Sequence, residues 1–433
     1  GQIRCLIYNP AGEVVETRHA TLSIAVDITE QPQNLSITTQ LFEITEHPQD
    51  LEIEATDTAS EYLHDFTAKD IGAWTHTRAS LATAPDETGT IITYQADEPV
   101  WYRDQGLQLE DSRTNELWLS DDFGHDYWRV GGTTTPDTRE IHATIPAPAG
   151  SMTAWHIGSS GGTGILYRDN VGQGAVHRSI WCRTISGTGT IGTMIHNSAA
   201  TFPITEEWKR LDTDVFGSLP ENFYVADFRS GTLNEALFWG AQQEDGAFVT
   251  SHISTAAAAY TRTDASCVAT FAELGDPLPA GGITGAICGQ FSFTLLADLA
   301  DHLAMGNVPY PLEIYGDNDN KIQLRLYSGT QYRLFFYRSG VLTHRTATAN
   351  TLTGERNDIR FRNDPAAGCT LWINGVMTNS TVLGSFAVPL DTIYLGDSQS
   401  TTRKGFIAVN KFRLVPDALT DEEIAAWDPA WGN

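Results

Sequence analysis

The chain is short of positive charge, of cysteine and of long apolar runs. Only 27 Lys and Arg stand against 54 Asp and Glu in 433 residues, a formal charge of −27. So acidic a surface repels a phosphate backbone, which argues against nucleic acid as a partner. The charge is read as a solubility device, with bound divalent cations the functional alternative. The five cysteines (Cys5, Cys182, Cys267, Cys288, Cys369) are scattered and odd in number, with no CxxC or Cys/His spacing. Neither a zinc site nor a dense disulfide framework is supported; a Cys267–Cys288 bridge is left open. No apolar run reaches bilayer length and the N-terminus has no basic-plus-apolar leader, so a soluble chain without membrane insertion is expected. GxSxG elbows, HExxH, P-loops and DxDxDG calcium loops are all missing. No heptad repeat is present to drive a coiled coil.

Aromatics, glycine and turns are plentiful instead: 11 Trp, 14 Tyr, 18 Phe, 38 Gly and 18 Pro. Short period-two segments separated by turn signals, with few helical windows, predict an all-β chain. Its length predicts two or three domains. Two antiparallel jelly-roll β-sandwiches are expected after a small β-rich N-terminal segment.

Residues 1–58 form that segment. Ile28 to Ile37 recurs as Ile44 to Ile53, offset by 16 residues. Each copy holds a proline (Pro32, Pro48) between alternating pieces, which suits an edge strand or extended arm. Two copies are too few for a core of their own, so an anchor or stem is expected. Residues 59–274 are assigned to the first sandwich and 275–433 to the second, with Asp276 to Gly282 as the linker. Thr420 and Glu423 have capping-box spacing, predicting a short helix there.

The organising stretch is Gly106 to Trp128, GLQLEDSRTNELWLSDDFGHDYW, and its partner is Trp239 to Ile253, WGAQQEDGAFVTSHI. Together they resemble a jelly-roll module of bacteriophage virion proteins, akin to carbohydrate-binding modules, over roughly residues 60–270. The C-terminal region, with Leu371 to Gly375, Ile393 to Gly396 and Gly405 to Leu414, resembles the laminin-G-like, concanavalin-type jelly roll. The resemblance implies a particle surface protein: a non-catalytic spike or fibre adhering to host capsule or other surface glycan. It further implies contact with other virion proteins through the N-terminal segment, and a homo-oligomer. A polysaccharide depolymerase and a ligand-free connector are the alternatives.

Candidate sugar-stacking rings on loops or rims are Trp101, Tyr102, Tyr127, Trp128, Trp155 and Tyr167. Trp239 and Trp372 lie inside alternating strands and are assigned to cores. Acidic pairs such as Glu110/Asp111 and Glu206/Glu207 are adjacent, so on a strand they face apart. No catalytic residue and no obligate cofactor is therefore expected. Asp317 and Asp319, in Asp317-Asn318-Asp319-Asn320, are candidate Ca²⁺ ligands, set against a plain solvated turn.

Overall fold

The computed structural model describes residues 2–8, 14–21, 51–52, 61–171, 174–195, 201–217, 221–297, 310–327, 331–346, 356–380, 384–397 and 406–427. The chain divides into two units at Ser60/Glu61. In the first, Gln2–Tyr8 pairs antiparallel with Val14–Thr21 on one side and Leu51–Glu52 on the other. Gln2–Tyr8, where Ile3, Cys5 and Ile7 alternate with other residues, is thus a strand. The first repeat copy lies outside the described residues, as does the second apart from Leu51–Glu52.

The second unit is all-β and antiparallel, built as two two-layer sandwiches. The smaller has two five-stranded sheets. One is ordered Arg129–Gly132, Gly164–Val171, Glu221–Gly231, Gly189–Met194, Thr201–Ile204. The other runs Thr138–Ile141, Trp155–Gly158, Glu235–Asp245, Gly174–Arg183, Lys209–Gly217. Between them lie Trp128, Ile157, Leu166, Ile180, Cys182, Phe223 and Phe238.

Strand Glu235–Asp245 changes face midway. Up to Trp239 its even residues Ala236 and Phe238 enter the core; beyond Gly240 the odd residue Ala241 does. Gly240 takes φ +67°, a bulge conformation open to glycine, and the register to Gly174–Arg183 shifts beside it. A Cβ there would sit 3.1 Å from both His252 and Trp181. The bulge places Gln242 and Glu244 on the same side as Trp239.

The larger sandwich draws strands from both sides of the smaller one. Its first seven-stranded sheet is ordered Val341–Thr346, Gln331–Arg338, Asn320–Tyr327, Leu312–Asp317, Thr392–Leu395, Ser266–Thr270, Thr75–Thr77. Its second runs Val376–Ser380, Gly368–Ile373, Arg356–Asp364, Ile287–Leu295, Ile407–Val415, Tyr62–Asp65, with Leu107–Leu109 also on Ile407–Val415. Phe66, Trp74, Leu107, Leu109, Cys267 and Phe271 pack in this core among Phe291, Phe361, Leu371 and Ile393. The expected division at 274/275 therefore falls inside this sandwich's own set of strands. The smaller sandwich is an insertion, entered and left through the two-stranded ribbon of Arg113–Asn115 and Tyr260–Arg262.

The linker reading of 276–282 is corrected. Leu278 is buried in the larger core, and Ile283 exchanges backbone hydrogen bonds with Leu390. Proline and glycine mark a tight turn here, not a joint. The helix expected after Thr420 is present as Asp421–Ala425, with both halves of the capping box made. An identical box, Thr270 with Glu273, starts the helix Phe271–Leu274. Cys182, Cys267, Cys288 and Cys369 are buried and form no disulfide among the described residues, so Cys267 and Cys288 are not bridged. Burial pushes the Cys288 thiol up to about 12, which makes it inert at neutral pH.

Candidate functional site

The paired signature stretches meet where the ribbon enters the smaller sandwich, and they build a buried polar clasp. Glu110 Oε1 accepts from Gln108 Nε2 (2.8 Å) and Ser251 Oγ (2.6 Å). Its Oε2 lies 3.3 Å from Arg262 Nη1, which also donates to Ser251 Oγ at 2.8 Å. Glu244 Oε1 accepts from Gln242 Nε2 (2.9 Å) and the Thr250 N–H (2.7 Å), and its Oε2 from Thr250 Oγ1 (2.7 Å). Asn115 Nδ2 donates to the carbonyls of Ala241 (3.1 Å) and Ile253 (2.8 Å), tying the two stretches together. Glu110 and Glu244 are 3 % and 0 % exposed, with every oxygen taken. Carboxylates so engaged hold structure; none is free to meet a substrate.

Beside the clasp lies a cleft of about 830 Å³. Its floor is the outer face of the sheet containing Gly174–Arg183 and Lys209–Gly217. Along Ile180-Trp181-Cys182-Arg183, Ile180 and Cys182 point into the core, so Trp181 and Arg183 point out. Trp181 stands directly across from Arg210. Trp208 donates from Nε1 to the Pro146 carbonyl at 2.8 Å, which fixes its ring at the cleft edge. Beneath, His252 packs on Trp239 with ring centroids 4.4 Å apart, and its Nε2 lies 3.2 Å from Asp121.

The walls come from elsewhere. The hairpin Ala82–Pro85/Ile91–Tyr94 supplies Thr83 to Pro85 and Ile91, and the 146–150 loop adds Pro146 and Pro148. The larger sandwich contributes Leu296 and Phe406, and Tyr102 with Arg103 lines one end. Rings and aliphatic walls with a few directed polar groups are the usual make-up of a small-molecule cleft. Three acids also reach it. Glu206 accepts the Gly187 N–H at 2.6 Å, and Glu207 is exposed. A hydrogen bond from His177 holds the Asp212 carboxyl below the usual range, so Asp212 is no proton donor near neutral pH.

Of the six rings singled out from sequence, Tyr102 alone lines this cleft. Trp101 bridges to Leu107 and packs on the larger core. Tyr127 stacks on the exposed Trp118, centroids 5.9 Å apart. Trp155 donates to the Asp121 carbonyl at 2.9 Å, and Tyr167 stacks on Tyr224 at 5.6 Å. Trp128, expected on a rim, is 1 % exposed and sits in the smaller core. The rim position is corrected: its indole N–H turns inward to the Leu119 carbonyl at 3.0 Å. Trp239 and Trp372 are buried, as their strands imply.

Trp181, Trp208, Arg183 and Arg210 were missed as site residues. For Trp181 and Arg183 the signal was present, because they alternate out of phase with Ile180 and Cys182. Asp317 Oδ1 accepts from the Asp319 N–H and from Asn320 Nδ2, both at 2.9 Å, closing a local turn. Among the described residues no three His, Cys, Asp or Glu side chains are grouped to hold a metal. No described helix is long and apolar enough to cross a membrane.

No protein-family model and no curated protein sequence matches the chain. Solved structures do resemble it locally. CBM40 of the Ruminococcus gnavus IT-sialidase, bound to α2,6-sialyllactose, is 16% identical over 33% of this chain and 83% of its own, with a TM-score of 0.27. Domain 4 of AbnA, a GH43 extracellular arabinanase from Geobacillus stearothermophilus in complex with arabinotriose, is 16% identical over 37% of this chain and 71% of its own, TM-score 0.27. The botulinum neurotoxin serotype G binding domain is 13% identical over 37% of this chain and 39% of its own, TM-score 0.29. Superpositions this loose carry no residue of the cleft from one protein to another.

Proposed function

We propose that the protein is a non-catalytic glycan-binding protein and that the cleft beside the clasp is its sugar site. One observation carries the reading: Trp181, Trp208 and Tyr102 line one cleft together with three guanidinium groups. The negative face of an aromatic ring attracts the polarised C–H bonds of a pyranose, and guanidinium groups hydrogen-bond hydroxyls. Two of the three acids there are engaged elsewhere, by Gly187 and His177, which favours binding over hydrolysis.

The finer reading is adhesion to host surface polysaccharide from a phage or phage-like particle. What supports it is the likeness of the two signature stretches to virion jelly rolls. On this reading residues 1–58 attach the chain to other virion proteins, and oligomerisation multiplies weak single-site affinity.

The test is affinity electrophoresis through host capsular polysaccharide with Trp208→Ala and the parent. The parent should be retarded, and the variant should lose at least about tenfold in affinity with its unfolding midpoint little changed. A parent that passes unretarded through every host glycan would end the reading. Release of reducing ends would move it to a depolymerase.

A further inference from the structure

The chain has half as many basic as acidic side chains, 27 against 54, so an arginine without a carboxylate is worth explaining. Several guanidinium groups elsewhere meet a carboxylate: Arg229 meets Asp227 at 2.6 Å, Arg360 meets Asp358 at 2.7 Å, and Arg362 meets Asp421 at 2.9 Å. The buried Arg178 donates to Gln243 and to the carbonyls of Met194, Asn222 and Val171.

Three arginines line the cleft together, where a ligand can reach them. Among the described residues Arg103 makes no side-chain hydrogen bond, and its Cζ lies 5.7 Å from the Tyr102 ring. Arg183 donates from Nε to the Thr184 carbonyl at 3.0 Å, and among the described residues neither terminal amino group has an acceptor. Arg210 donates from Nη1 to the Thr250 carbonyl at 2.6 Å, while its buried Nε and Nη2 have no partner. Burial pushes the Arg210 guanidinium down to about 10, so it stays charged at neutral pH. A desolvated cation with unmatched donors is costly, and oxygens of a planar anion complete it best.

We propose, resting on the glycan-binding reading above, that this cleft selects saccharides bearing an anionic substituent, held by Arg183 and Arg210 while the sugar ring stacks on Trp181. Register supports the arrangement. Arg210 is directly opposite Trp181, and Arg183 is two residues further along the same face. The acids facing these groups do not fill the role: Asp212 is held by His177, Glu206 by the Gly187 N–H, and both Glu244 oxygens by Gln242 and Thr250. Glu207, exposed at the rim, forms no ion pair among the described residues. The overall charge of −27 does not forbid an anion. At physiological salt the screening length is about 8 Å, so groups inside the cleft dominate.

The test measures binding of the full chain to hyaluronan and alginate (carboxylates), dextran sulfate (sulfates), and dextran and pullulan (neutral). Carboxyl-reduced hyaluronan is the matched control. At least one acidic polymer should bind about tenfold or more tighter than the neutral ones, and more weakly as NaCl rises. The carboxylate and sulfate arms then say which anion is preferred. Arg183→Gln should remove most of that preference at an unchanged unfolding midpoint, and the exposed Arg103→Gln, which carries little folding risk, should reduce it. Equal affinity for acidic and neutral polymers, or a preference untouched by Arg183→Gln, overturns the inference while leaving glycan binding intact. Silence on every polymer, host capsule included, overturns both.

Discussion

At the scale of single residues, the signature stretches matter mostly for what they hold in place. Glu110 and Arg262 are both buried and share Ser251. Removing one partner of such a pair leaves an uncompensated charge, so Glu110→Ala should cost about 3–5 kcal/mol, read as a fall in the urea midpoint. Glu110→Gln keeps the shape and some acceptor capacity and should cost less. Gly240 acts on the cleft through the backbone. Gly240→Ala combines a positive φ with a Cβ 3.1 Å from Trp181 and His252. It should lose about 1–2 kcal/mol and, by displacing Trp181, weaken glycan binding; calorimetry of the same sample reads both. The clasp types were visible in sequence as a run of polar residues inside apolar strands. That they close on each other and not on a ligand was not visible, because sequence does not say which face a bulge will turn.

At the scale of elements, local chemistry was legible and partnership was not. Both capping boxes are four-residue signals and start helices after Thr270 and Thr420. Strand Tyr62–Asp65 is only four residues long, and nothing local says that it pairs with Ile407–Val415 across the chain. Its end is pinned by Asp65, 2.6 Å from Lys411. Partial burial pulls the Asp65 carboxyl up, but hydrogen bonds from Lys411 and Thr67 outweigh it and hold the carboxyl below the usual range. A carboxylate with a depressed folded value adds stability above its unfolded value, lost as pH falls through the folded one. Asp65→Asn should therefore lower stability at pH 7 and flatten its decline below about pH 4, as urea midpoints across pH will show. The effect is small, since Asp65 is 38% exposed and solvent screens the pair.

At the scale of the whole molecule, the insertion sets what can fold alone. A fragment of residues 275–433 lacks Tyr62–Asp65, Thr75–Thr77, Leu107–Leu109 and Ser266–Thr270, and with them Phe66, Trp74, Cys267 and Phe271 of the core. It should show no cooperative urea transition, whereas residues 61–433 should unfold cooperatively. The cleft also belongs to this scale. Trp181 and Arg210 come from the smaller sandwich, Leu296 and Phe406 from the larger, and Tyr102 from the segment leading into the ribbon.

Alternation of apolar and polar residues, frequent turns and the scarcity of helical windows were enough to determine an all-β chain of layered antiparallel sheets. Period-two patterning depends only on near neighbours in the chain, so it is written in the order of residues. Which strand lies beside which, which rings become core and which line the cleft were decided by the tertiary structure. Trp128 sits in the polar run GHDYWR and Trp181 in the more apolar SIWCR, yet Trp128 is sealed between the sheets and Trp181 stands on an outer face. Hydrogen-bond ladders accept any alternating strand. Only the closing of the two cores around specific side chains selects one pairing, and with it the place where Trp181, Trp208 and Arg210 meet.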